Sequence, residues 1–150
     1  MTKNLDLKGL QSIVEDYDLF YIDLWGVIHN GIKLHEQAIN VLINMVKLNK
    51  EFVLLTNAPR PNNSVKKTLE KMGMSEILRN HVFTSGEAAL TYLKNKHSSK
   101  KFFHIGPKKD YDLIYSIKEN KCEHIENCDF LLCTGLFEDY FNDLNYYKTL

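Results

Sequence analysis

The sequence is poor in the residues that define several protein classes. Its 150 residues hold three cysteines, three prolines and seven glycines, and nineteen basic side chains cancel nineteen acidic ones. Cys122, Cys128 and Cys133 are odd in number and confined to the last third. That excludes a disulfide framework and suits a reducing cytoplasm. Their spacing, with His124 among them, lacks the paired Cys-x-x-Cys pattern of a structural zinc site. So little proline and glycine excludes collagen-like and Pro-rich disordered chains. Zero net charge argues against broad binding to nucleic acid, which needs a dense basic face. Residues 1–100 carry 13 basic and 10 acidic groups and residues 101–150 carry 6 and 9, a split too mild to name a partner. No apolar run approaches the roughly 18 residues that span a bilayer. The opening Met1-Thr2-Lys3-Asn4-Leu5-Asp6 is polar where a signal peptide is apolar. There is no Gly-x-Gly-x-x-Gly or Walker-type loop, and none of Ser64, Ser75, Ser85 and Ser116 has a nucleophile-elbow context. The expectation is a soluble cytoplasmic protein with neither a nucleic-acid nor a membrane partner.

What is present is a hydrophobic content of 44% arranged as alternating strands and helices. The length suits one domain, or a small domain and part of another. Leu19–Ile22 reads as a buried strand, followed by a glycine-containing turn from Gly26 to Gly31. Apolar residues from His35 to Asn49 recur near a 3.6 period and predict an amphipathic helix. Phe52–Leu55 is a second strand and Asn57–Pro61 a loop. Pro61 opens a helix that runs to about Met72 and stops at Gly73. His81–Phe83 is a third strand, and Ser85 is a candidate cap for a helix from Gly86 to about Lys96. Lys94–Lys101 is a polar stretch and the best boundary, dividing the chain into 1–98 and 99–150. Beyond it Phe102–Ile105 and Phe130–Cys133 read as strands, and Asp110–Asn120 and a segment from Asp139 as helices.

Strand–helix–strand units at this spacing imply an α/β fold with a Rossmann-like parallel sheet layered between helices. In such sheets ligands bind beyond the carboxyl ends of the strands. The informative residues are therefore Asp23-Leu24-Trp25-Gly26, Thr56-Asn57-Ala58 and Thr84-Ser85-Gly86. Asp23 ends an apolar strand, where it either caps the turn at Gly26 or serves as an anionic nucleophile or metal ligand. A carboxylate can attack phosphorus to form an acyl phosphate, and Mg²⁺ beside it offsets the repulsion between two anions. Thr56 and Asn57 either start an ordinary turn or hold phosphoryl oxygens through a hydroxyl and backbone N–H groups.

Three segments together resemble the haloacid dehalogenase (HAD) superfamily, class IIA. They are Tyr21-Ile22-Asp23-Leu24-Trp25-Gly26-Val27-Ile28-His29-Asn30-Gly31, Leu54-Leu55-Thr56-Asn57-Ala58-Pro59-Arg60 and Thr84-Ser85-Gly86-Glu87-Ala88. His104-Ile105-Gly106-Pro107 and Leu132-Cys133-Thr134-Gly135-Leu136 resemble the opening of that class's α/β cap. The resemblance implies a Mg²⁺-dependent hydrolase acting on a small phosphorylated metabolite. It implies Asp23 as nucleophile and Mg²⁺ ligand, the Trp25 backbone carbonyl as second ligand, and Thr56 with the Asn57 amide as the phosphoryl site. Gly26, His29, Asn30 and Gly31 form the flap, with Asn30 and Gly31 suited to a tight turn with positive φ. Two features depart from the family pattern. Trp25 stands where the family has its general acid–base Asp, a role typically worth 10²–10⁴-fold in rate. The family's Lys motif and later acidic pair are also missing, so the chain reads as the nucleophile half, ending within the cap. Mg²⁺ would then be held weakly. Tyr140, Phe141, Tyr146 and Tyr147 would be cap core, and their exposure implies self-association or a complementing C-terminal fragment. The competing reading is a catalytically silent α/β module that needs a second chain.

Overall fold

A computed structural model describes residues 9–150; the reading of Met1–Asp6 lies outside the described residues. The described residues form five strands, β1 (Leu19–Asp23), β2 (Glu51–Thr56), β3 (Val82–Thr84), β4 (Phe102–Ile105) and β5 (Phe130–Cys133). Among them lie five α-helices: α1 (Glu36–Lys47), α2 (Asn62–Lys71), α3 (Glu76–Arg79), α4 (Ser85–Lys96) and α5 (Tyr111–Tyr115). The strands make two sheets, β1-β2-β3 and β4-β5. The β1–β2 and β4–β5 ladders are both parallel. The fold is therefore α/β with parallel sheets, of the Rossmann-like type.

The chain divides into two compact units that are discontinuous in sequence. One comprises the described residues up to Thr56 with Thr68–Val82, and the other Asn57–Lys67 with Phe83–Leu150. Residues 99–150 thus fall wholly in the second unit, together with Asn57–Lys67 and Phe83–Ser98. In the first unit, α1 turns Leu42 and Met45 inward, and β2 buries Phe52 and Leu54. Leu69, Met74 and Leu78 close this core. The apolar period of α1 and the alternation of β2 account for these choices. The opposite face of the β1–β2 ladder is open, with Leu19, Tyr21 and Leu55 exposed. In the second unit Leu90, Leu93, Phe102, Leu113 and Ile114 form the core.

Three local expectations are corrected. The helix expected over Asp110–Asn120 is only α5, flanked by single 3-10 turns at Lys108–Asp110 and Lys118–Asn120. Its end is drawn into the second sheet, because Cys122 N–H donates to the Phe102 carbonyl at 2.8 Å and Lys121 bridges Phe102. The segment from Asp139 forms 3-10 turns at Glu138–Tyr140 and Tyr146–Lys148 rather than a helix. Aromatic stacking folds it back on itself: the Tyr140 and Tyr146 rings lie parallel at 3.5 Å, and Phe137 N–H donates to the Tyr147 hydroxyl at 2.7 Å. The cap of α4 is Thr84, whose Oγ1 accepts from Glu87 N–H at 2.9 Å; Ser85 is the first helical residue. Among the described residues no helix is long and apolar enough to cross a membrane.

Candidate active site

Asp23 closes β1, and its register partner is Leu55, so Thr56 lies one residue beyond at the end of the neighbouring strand. Adjacent strands run about 4.8 Å apart, and the two carboxyl ends therefore lie side by side. Asp23 is exposed, on the open face of the ladder. Its Oδ1 accepts the Leu24 N–H at 2.9 Å, which orients the carboxylate at the mouth of the turn.

The turn after Asp23 is built by its own backbone. Leu24 and Ile28, each 1% exposed, anchor it in the core. The Leu24 carbonyl accepts from Ile28 and His29 N–H, and Gly26 N–H donates to the His29 carbonyl. The Trp25 carbonyl accepts none of these turn bonds. Gly26 and Gly31 take φ of +79° and +89°, conformations that L side chains rarely adopt. Asn30 differs from expectation, since its φ is not positive. Its Oδ1 instead accepts from Ile32 and Lys33 N–H, both at 3.0 Å, so it closes the turn as an Asx motif.

Trp25 is 66% exposed, yet its ring covers Gly31: a Cβ there would meet the indole at 2.7 Å. The His29 ring stands edge-on to Trp25 at 5.6 Å. His29 Nδ1 accepts the Gly31 N–H at 3.0 Å, which requires the neutral ring to carry its proton on Nε2. Partial burial lowers the His29 pKa, reinforced by nearby His35 and opposed by the Asp23 charge.

Asn57 belongs to the second unit, in a loop whose lock was not visible in the sequence. The Ala58 carbonyl accepts from Ser85 Oγ at 3.0 Å and from Gly86 N–H at 3.2 Å. The Arg60 carbonyl accepts from Thr84 Oγ1 at 2.6 Å. Asn62 Oδ1 accepts from Thr84 N–H, and Asn62 N–H donates to Glu87 Oε2, both at 2.9 Å. Thr84-Ser85-Gly86, read as a third polar strand end, is thus a clamp on the loop after Thr56. The Arg60 guanidinium bonds Asp112 at 2.7 Å and holds that carboxyl below its ordinary pKa. The signal that could have found this clamp is Gly86 in the first turn of a helix, where glycine is unfavourable by about 1 kcal/mol and needs a packing reason.

The oxygens of Asp23 and Trp25 are hard donors of the kind Mg²⁺ takes, but they form a partial set. Mg²⁺ wants near-octahedral oxygen coordination and keeps water and substrate phosphate in the remaining positions. Among the described residues no group of three or more His, Cys, Asp or Glu could hold a metal ion. The donors present fit such an ion only as part of a larger set.

Comparison with known proteins agrees with this geometry. The family of haloacid dehalogenase-like hydrolases matches over residues 20–117. No curated relative matches the sequence. Among solved structures, a haloacid dehalogenase-like hydrolase from Brucella suis superposes with a TM-score of 0.77 at 27% identity, covering 93% of this chain and 52% of that one. A possible sugar phosphatase from Cytophaga hutchinsonii gives 0.73 at 16% identity, covering 97% and 55%. A glycerol phosphate phosphatase from Mycobacterium tuberculosis, solved with magnesium, gives 0.60 at 20% identity, covering 81% and 37%. The chain spans about half the length of the first two structures and little more than a third of the last. With the motif-bearing strands inside the matched region, the chain belongs to the haloacid dehalogenase-like hydrolase family.

Proposed function

We propose that this chain supplies the nucleophile half of a Mg²⁺-dependent phosphatase acting on a small phosphate monoester. The observation that carries the reading is the register that sets Asp23 beside Leu55 and brings Thr56 to the same sheet edge. The Asp23 carboxylate attacks phosphorus, and the bond from phosphorus to the ester oxygen breaks as the alcohol leaves. Water then hydrolyses the aspartyl phosphate, releasing inorganic phosphate and restoring Asp23. Thr56, with the Asn57 amide, steadies the phosphoryl oxygens, and catalysis is mainly positioning and charge neutralisation. Asp23 and the Trp25 carbonyl would hold Mg²⁺, which when bound neutralises charge on the attacking and attacked groups. Gly26, His29, Asn30 and Gly31 form the flap. An indole cannot trade protons near neutral pH, and the His29 lone pair is engaged by Gly31 N–H. His29 therefore remains a flap residue, and the leaving alcohol departs without acid help from this chain. Aryl phosphates, whose leaving groups are weak bases, are then turned over far faster than alkyl phosphates.

The alternative proposal is a silent module that joins a second polypeptide or a second copy. It is favoured by the open apolar face formed by Leu19, Tyr21 and Leu55 and by Trp25 at the acid–base position. One experiment separates the two. An aryl phosphate is supplied with Mg²⁺ to the chain alone and to the chain mixed with the polypeptide encoded directly downstream. Phosphate release and a single phosphoryl mass increment on Asp23 after acid quench are read, and both are expected to vanish in Asp23→Asn. No turnover and no labelled Asp23 in either sample sinks the phosphatase reading.

A further inference from the structure

Trp25 is the only tryptophan in the sequence, and its ring is held in place while 66% of the residue meets solvent. A tryptophan left in water forgoes one of the largest apolar burials a side chain can make. The exposure does not come from a loose ring. The far end of the indole rests on Gly31, where a Cβ would lie 2.7 Å from it. His29 stands edge-on at 5.6 Å, and its Nδ1 is itself fixed by the Gly31 N–H at 3.0 Å. Glycine at position 31 therefore has a second reason beyond its φ of +89°, which is to seat the ring. A braced aromatic surface in water is preorganised to receive a ligand.

Its place relative to Asp23 follows from the backbone. Leu24 is 1% exposed, and Asp23 and Trp25 on either side of it are both exposed. Trp25 still makes a β-bridge, to His29, so the chain remains extended there. Alternate residues of an extended chain share a face, which puts the indole on the same side as the Asp23 carboxylate. At about 3.3 Å per residue the two stand about 7 Å apart along the chain. Asp23, Trp25, His29 and Gly31 all belong to the first unit.

What an indole offers a bound molecule is a flat π face. Planar rings stack on such a face with centroids about 4.5–7 Å apart. An ammonium group also sits over tryptophan, but its best sites are cages of several aromatic rings. Among the described residues the ring contact of Trp25 is the imidazole of His29, which makes a platform and not a cage. A phosphorus atom in reach of Asp23 and a ring over Trp25 must be joined across the gap between them. A ring bonded directly to the ester oxygen falls short of that span, and one or two intervening carbons cover it. We propose that the Trp25 indole is the platform on which the substrate's alcohol stacks, selecting phosphate monoesters whose planar ring stands one or two carbons beyond the ester oxygen. The inference rests on the reading of Asp23 as the nucleophile and adds to it the class of alcohol and the residue that selects it.

The test titrates the chain, with Mg²⁺, against 2-phenylethyl phosphate. 2-Cyclohexylethyl phosphate is the match with an equally basic leaving group and no π face, and phosphocholine is the cationic match. With a single tryptophan, intrinsic fluorescence reports position 25 alone. The phenyl ester should change the emission saturably, at a concentration at least tenfold below that needed for the cyclohexyl ester. By calorimetry Trp25→Leu should bind the two esters equally, and Trp25→Phe should restore part of the preference, which a merely structural role would not do. Should the leucine variant fail to fold, the phenylalanine variant and the parent titration decide. Acetyl phosphate, a phosphoryl donor without a ring, separately reads the nucleophile as a mass increment on Asp23. Labelling without a ring preference overturns the stacking and leaves the phosphatase reading standing; a ring preference without labelling does the reverse. Equal binding of the two esters, tighter binding of phosphocholine, or a preference that survives in Trp25→Leu would each overturn the proposal.

Discussion

Replacing Gly86 with alanine tests the clamp on the loop after Thr56, because two physical arguments give it opposite signs. Gly86 lies in the first turn of α4 and has no positive φ. Helix propensity alone therefore makes Gly86→Ala stabilising by about 1 kcal/mol. The tertiary structure reverses this. A Cβ at position 86 would lie 2.5 Å from the Arg60 carbonyl oxygen and 2.7 Å from its carbon, where apolar contacts normally sit near 3.5–4.0 Å. The obstacle is backbone and cannot swing aside, so α4 and the loop must part by about 1 Å. Overpacking of this kind costs about 1–3 kcal/mol. The same movement strains the bonds from Gly86 N–H to Ala58 and from Thr84 Oγ1 to Arg60, each worth about 0.5–1.5 kcal/mol. The net expectation is a loss of about 2 kcal/mol, seen as a thermal midpoint lower by roughly 4–8 °C for a chain of this size. Circular dichroism melts and urea titrations on the two proteins decide it. Ser85→Ala, which removes only one bond to Ala58, should cost no more than about 1.5 kcal/mol. A Gly86→Ala protein as stable as the parent, or more so, refutes the close approach.

Gly31→Ala should destabilise the turn after β1 by about 1–2 kcal/mol, the cost of a left-handed β-carbon, with a further clash against Trp25 at 2.7 Å. Adding Trp25→Ala should recover the clash but not the backbone cost, and Trp25 fluorescence in the single variant should report the displaced ring. Stability should fall as pH drops below neutrality through His104. Burial holds its pKa below 6.5, with Asp110 opposing and Lys121 reinforcing that shift. The folded state therefore resists a proton that the unfolded chain takes up, and the stability present above pH 6.5 is lost as pH falls toward the lowered value. Melts between pH 7.5 and 5 should show a steeper decline for the parent than for His104→Gln. Breaking the Arg60–Asp112 pair with Asp112→Asn should cost less than about 1 kcal/mol, since both side chains reach solvent; a larger loss in a urea titration would show that the pair does more than tie one exposed turn.

The sequence alone determined the five strands, the parallel alternation and the family, because these rest on local periodicity and on residue types at strand ends. Asp23 and Thr56 were legible for that reason: each directly follows an apolar run, and parallel pairing carries both to one edge. Tertiary structure decided what depends on residues far apart in the chain. Ser85 is the expected cap by composition, yet Thr84 holds the position with its hydroxyl also bonded to Arg60, 24 residues away. The helix expected to Asn120 yields its end to a bridge with Phe102. Asp110 was expected to open a helix, and only the fold leaves it 2% exposed. Hydrogen bonds within a turn are written into neighbouring residues, whereas burial and close backbone approach are set by whichever distant segment packs alongside.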